Sequence, residues 1–177
     1  KIIRAVLDPN ARFQEDALRL MRAIRLSTEL GFKIEIKTLE AIKLNASKLK
    51  LVSIERIRDE FTRIISADNA VQGVNLLEDS GLLQYIMPEL REGIGVGQNL
   101  HHIYSVWEHN LRALNYTVKK NYSLIIRLAA LLHDVAKPHT KRGNGKYSTF
   151  YGHDVVGARM TKKILDRNQE IINATKE

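Results

Sequence analysis

The stretch from Phe13 to Gly31 most constrains what this chain can fold into. Phe13, Ala17, Leu20, Met21 and Ile24 recur at i, i+4, i+7, i+8 and i+11, the period of one helix face and of no strand. The spacing predicts an amphipathic helix that begins near Phe13 and closes at Gly31, a residue that accepts the positive φ of a helix end. The face opposite the apolar stripe gathers Arg12, Arg19, Arg22 and Arg25, with Asp16 among them.

The same reading predicts further helices. Thr38 is placed to cap one running toward Ser47, and Ser53 another over "IERIRDEFTRII". Asp68 precedes "NAVQGVNLLEDSG", which Gly81 stops, and "LLQYIMPEL" is a short apolar turn broken by Pro88. "HHIYSVWEHNLRALNYTV" and "SLIIRLAALLHDVAK" follow as two helices, and "GHDVVGARMTKKILDRN" begins another. Only "KIIRAVLDP" and "FKIEIK" read as extended, and the opening strand is expected to lack neighbours. The fold class is therefore all-α. "REGIGVGQN" interrupts the periodicity with three glycines, which divides the chain into residues 1–90 and 100–177 with a boundary near 91–99.

Charge narrows the partners. Lys and Arg number 28 against 20 Asp and Glu, a net +8 with pI near 9.7, which favours a polyanion such as nucleic acid. The absence of cysteine excludes disulfides, thiolate metal sites and cysteine nucleophiles, and an intracellular, cytoplasmic protein fits best. No apolar run reaches the ~18 residues of a membrane span. The chain begins at Lys1, so a piece of a longer protein is expected.

Asp16 and Arg19 stand one helical turn apart. A carboxylate accepts from an exocyclic amino group, and a guanidinium donates to the neighbouring ring nitrogen or carbonyl. Cytosine and adenine offer that combination, whereas uracil and guanine on the corresponding edge do not. The plain alternative is an i, i+3 surface ion pair worth ~0.2–0.5 kcal/mol.

"IIRAVLDPNARFQEDALRLMRAIRLSTELGF", with "IEIKTLEAI" and "VSIERIRDEFTRII", resembles the neck and following RNA-binding region of bacterial tRNA nucleotidyltransferases and poly(A) polymerases. The resemblance implies that an E-D-x-x-R motif, here Glu15, Asp16 and Arg19, pairs with the incoming CTP or ATP. Asp16 and Arg19 would choose the base, Glu15 would support them, and Arg12 and Arg22 would complete the nucleotide site. "IRAVLDP" resembles the joint to a catalytic head, with Leu7 where a glycine is expected, and "SIERIRDEF" resembles the helix that buttresses the neck. The family's head carries a glycine-serine loop and a D-x-D pair that holds Mg²⁺; neither occurs here, so this chain alone is expected not to transfer nucleotides. The tRNA acceptor arm is the implied RNA partner.

In the second half, "VWEHNLRAL", "RLAALLHDVAKP" and "YGHDVVGA" resemble the HD domain of metal-dependent phosphohydrolases. Carried over, His109, His133 and Asp134 would ligate a divalent transition metal, His153 would add a ligand in two-metal members, and Lys137 would contact phosphate. The family's last aspartate has no counterpart before Glu177, so a partial HD domain is expected. The whole then reads as a helical neck and body followed by that domain. A free-standing HD phosphohydrolase whose first half binds RNA or nucleotides is the second reading, and a non-catalytic helical RNA-binding or assembly module the third.

Overall fold

The computed structural model describes residues 1–99 and 103–167. They fall into two compact units, one over Lys1–Ile86 and one that begins at Met87. Both are helical. The first unit runs β1 (Ile2–Ile3), α1 (Pro9–Glu15), α2 (Leu18–Leu30), β2 (Lys33–Ile34), α3 (Ile36–Asn45), a 3₁₀ turn (Ala46–Leu51), α4 (Ile54–Ser66), α5 (Ala70–Asp79) and α6 (Leu83–Ile86).

Three local expectations are corrected. The helix expected from Phe13 to Gly31 is broken at Asp16, whose backbone is extended at φ −149° and ψ 105°. The Asp16 carboxylate accepts the Leu18 N–H at 3.0 Å, so the side chain ends α1 and starts α2. Thr38 lies inside α3 rather than before it; its hydroxyl accepts the Ala5 N–H at 3.2 Å and donates to Glu35. The opening strand does find a neighbour, since β1 pairs parallel with β2, Ile2 opposite Lys33 and Ile3 opposite Ile34.

The core of this unit is where α2, α4 and α5 cross. Leu20, Met21, Ile24, Phe61, Ile64, Ile65, Val74 and Leu77 are all buried there. Gly73 makes the crossing close: a Cβ on it would lie 2.5 Å from Ile64 Cγ2 and 2.7 Å from Thr28 Oγ1. Alanine favours a helix over glycine by ~1 kcal/mol, but forcing a methyl into a packed crossing costs about 1–3 kcal/mol. Gly73→Ala is expected to lower stability in a urea titration; a more stable variant would mean that the crossing has room.

Leu7 adopts φ 62° although its side chain is exposed. The backbone therefore keeps the left-handed turn that a glycine would take without strain, at a cost of ~1–2 kcal/mol for a residue with a Cβ.

The second unit comprises α7 (Pro88–Arg91), α8 (Val106–Lys119), α9 (Leu124–Leu132), α10 (Lys137–Thr140) and α11 (His153–Arg167). Ser105 and Glu108 form a reciprocal capping box at the start of α8. The turn into α9 is held by buried Arg127, whose Nε donates to the Tyr122 carbonyl at 3.0 Å. Arg167 grips Glu89 with two hydrogen bonds of 2.8 and 2.9 Å, tying the end of α11 to α7. No helix among the described residues is long and apolar enough to cross a membrane.

Candidate nucleotide pocket and metal centre

The break at Asp16 shapes the first site. It turns α1 against α2 so that Arg12, Arg19 and Arg22 line one cavity of about 530 Å³, floored by Ile3, Val6, Phe13, Ala23 and Leu26. Arg12 Nε is buried without a hydrogen-bond partner among the described residues. Cationic forks over an apolar floor suit a flat, polar-edged ring such as a nucleobase.

Asp16 and Arg19 do not pair with each other. Arg19 donates to Glu15 at 2.6 Å and to the Arg12 carbonyl at 3.1 Å, and Arg12 also reaches Glu15 at 2.9 Å. Arg19, with Arg12 close by, holds the Glu15 carboxyl below the usual range. Asp16 instead accepts from Arg56 of α4 at 3.0 Å. Burial opposes its ionisation, but the Leu18 N–H and Arg56 outweigh it and lower its pKa. The plain i, i+3 ion pair is therefore not what the fold makes of these two residues; each is oriented by a different neighbour.

Two residues of α4 that the motif did not single out brace this site. Arg56 and Glu60 both lie on α4, one turn apart, and Glu60, 8% exposed, anchors Arg22 Nε at 3.2 Å and pairs with Arg25. The "SIERIRDEF" buttress carried the signal, since two ions placed i, i+4 on a helix share one face, here the one turned toward Asp16 and Arg22.

In the second unit, His109 lies one turn into α8, His133 and Asp134 follow the end of α9, and His153 opens α11. His109, His133 and Asp134 each offer a ligand atom within 4.8 Å of the others. Asp134 is 3% exposed, and its Oδ2 lies 3.4 Å from His109 Nε2, 3.2 Å from His133 Nε2 and 2.7 Å from Lys137 Nζ. His153 Nε2 stands farther off, 3.7 Å from Asp134 Oδ1. Lys137, assigned above to phosphate, is itself buried between Asp134 and Gln98 Oε1, 2.6 Å away. His139 pairs instead with Glu92, while His101 and His102 lie outside the described residues.

The donor set fits a metal. His133 Nδ1 is 2.8 Å from the Ala130 carbonyl and His153 Nδ1 is 2.7 Å from the Phe150 carbonyl. A carbonyl only accepts, so both rings carry a proton on Nδ1, which leaves Nε2 as the inward-facing atom that a metal would take once its proton is lost. His109 and His133 then bring their Nε2 atoms 3.1 Å apart beside a carboxylate whose buried Oδ2 accepts no hydrogen bond of ordinary geometry. Two imidazole nitrogens and a carboxylate oxygen so placed can share one cation, and imidazole with carboxylate suits Zn, Fe, Mn, Co or Ni. Asp134 raises the His133 pKa against the effect of burial, and burial of Asp134 is outweighed by His133 and Lys137, which hold its carboxyl well below the usual range.

Comparison with known proteins matches both halves. Residues 31–94 fit the family described as the probable RNA and SrmB-binding site of polymerase A, and residues 99–177 fit the HD domain. The A-adding tRNA nucleotidyltransferase of Deinococcus radiodurans is 40% identical over 94% of this chain, which spans 40% of that protein. The CC-adding tRNA nucleotidyltransferase of Thermus thermophilus is 36% identical over 85% of this chain, or 37% of its own length. Among solved structures, the Bacillus stearothermophilus CCA-adding enzyme in complex with CTP superposes with a TM-score of 0.52 at 24% identity, covering 98% of this chain and 38% of that one. That last likeness speaks for the fold alone.

Proposed function

We propose that the chain is part of a tRNA nucleotidyltransferase related to the Deinococcus protein, of which it spans 40%, and that its first unit selects the base in an enzyme adding CMP or AMP to RNA 3′ ends. The observation that carries the reading is the cavity that Arg12, Arg19 and Arg22 line, with Asp16 and Arg19 each braced by its own partner. Groups held in advance lose little freedom when a base docks, so their hydrogen bonds go into discrimination. CTP and ATP are the nucleotides, and the acceptor arm of tRNA is the RNA, gripped chiefly by Lys and Arg contacts to phosphate. The setting is cytoplasmic.

Transfer itself needs divalent ions, Mg²⁺ in this reading, on the triphosphate. This chain has no D-x-D pair to hold them, so its part is selection and grip. In the second unit, His109, His133 and Asp134 would hold a divalent transition metal, with His153 as a further ligand. A metal there would polarise a phosphoryl oxygen and acidify its water. Lys137 would steady Asp134 from its buried position.

The test is incorporation. The full-length protein, given tRNA trimmed of its 3′ end and labelled CTP or ATP, should extend the RNA and should ignore UTP and GTP. No incorporation, together with metal-dependent turnover of a phosphomonoester or cyclic phosphate, would replace this reading with an HD phosphohydrolase that has an RNA-binding half, which the compact His109, His133 and Asp134 cluster favours.

A further inference from the structure

Positive charge is unevenly spread along the chain. From His109 to His153 there are eight Lys or Arg and one acid, Asp134, whereas the remaining residues carry 20 basic against 19 acidic side chains. Seven of the eight net positive charges therefore fall between these two histidines. The contrast extends to pairing. Each of the eight arginines before Ile86 lies within ion-pair distance of a carboxylate. Arg142 and Lys146 meet no carboxylate among the described residues.

Those two cations stand on a built hairpin. Arg142 and Thr149 exchange backbone hydrogen bonds of 2.9 Å each, Gly145–Tyr147 forms a 3₁₀ turn, and Ser148 Oγ donates to the Gly145 carbonyl at 2.8 Å. Tyr147 is 74% exposed with Lys146 Nζ 5.1 Å from its ring centre, and Tyr151, just past the hairpin, is 80% exposed. Below it a cavity of about 370 Å³ is lined by Lys137, Ser148, Phe150, Tyr151 and His153. Two of these, Lys137 and His153, flank Asp134.

We propose that this hairpin and its cavity bind a single-stranded polynucleotide, with bases stacked on Tyr147 and Tyr151 and phosphates against Arg142 and Lys146. The proposal rests on the reading of the protein as one that handles RNA, but not on base selection or on the metal. An acidic peptide would use the cations and leave the rings bare, and free phosphate would need no rings. A duplex keeps its bases stacked on one another and offers the tyrosines no face. A single strand uses both kinds of group, because every base has a face to stack and every linkage a charge.

The experiment is fluorescence anisotropy of a short labelled oligoadenylate with the full-length protein over a range of salt. Tyr147→Ala with Tyr151→Ala should weaken binding roughly tenfold or more, and the Phe versions of both should bind like the parent. Arg142→Ala with Lys146→Ala should flatten the plot of log affinity against log salt by about 1.4, at ~0.7 per cation for a single strand. The substituted side chains are exposed, and unchanged melting curves would confirm folding. Parent affinity in the double Ala variant, or competition by polyglutamate as strong as by unlabelled oligonucleotide, overturns the proposal. Incorporation assays on the same preparations separate the two ideas. Hairpin-dependent binding without incorporation supports the strand site and sinks only base selection; incorporation with hairpin-independent binding sinks the strand site.

Discussion

Asp134→Ala should strip the second unit of divalent metal and destabilise it by about 3–5 kcal/mol, the usual result of removing one partner from a buried ion pair. Asp134 is 3% exposed and Lys137 8%, and Lys137 Nζ lies 2.7 Å from the carboxylate. Without Asp134 the buried ammonium keeps the neutral Gln98 oxygen and the Phe150 ring, and no carboxylate among the described residues. A typical domain is stable by ~5–15 kcal/mol, so the loss is a large part of the whole. Denaturant melts and metal content measured on the same protein check both halves of the expectation. Asp134→Ala with Lys137→Met separates them, because removing both charges of a buried pair is often nearly neutral. The double variant should regain most of the stability and none of the metal. If the single variant keeps its metal, the cluster is a structural ion pair and the metal assignment falls.

The cluster also shows how far residue order alone reaches. The order H…HD…H, through its resemblance to the HD domain, pointed to His109, His133, Asp134 and His153, and the fold sets the first three within 4.8 Å of one another. What the order did not carry is the role of Lys137 as a buried partner of Asp134. A lysine at i+3 of an aspartate is ordinarily a solvated face, and only the packing of the second unit makes it otherwise.

The first site was legible in its residues and not in its geometry. Apolar periodicity runs in register through Asp16, so nothing in the stripe announces the break; the competing signal is an aspartate that can cap the helix after it. Thr38 failed as a cap for a related reason, since its hydroxyl is spent on a backbone group 33 residues away. α4 starts after Ser53 as expected, although the Ser53 side chain makes no capping hydrogen bond there. Net charge was legible only as an average, which concealed that the arginines of the first unit lie beside carboxylates while Arg142 and Lys146 meet none among the described residues.

Arg19→Ala should cost the full-length protein its choice among nucleotides by about 1–3 kcal/mol, or roughly 5- to 150-fold in relative kcat/KM, with little change in tRNA affinity or stability. The small stability effect follows from the contacts. The Arg19 side chain is 38% exposed and that of Glu15 46%, and exposed pairs contribute ~0.2–1 kcal/mol. Glu15 also keeps Arg12 at 2.9 Å after Arg19 is gone. A loss of selectivity in this variant is thus a loss of base contact and not of fold. Arg19→Lys should behave like the alanine variant, because it restores the charge without the planar fork that a ring nitrogen and its neighbour require. Arg56→Ala should act more weakly in the same direction, by releasing the Asp16 carboxylate from its 3.0 Å partner. Initial-rate assays with CTP, ATP, UTP and GTP on one trimmed tRNA, beside a tRNA binding curve, decide the matter. Equal losses in selectivity and tRNA affinity would make Arg19 a phosphate contact, and unchanged selectivity in all three variants would remove the base reader from this helix.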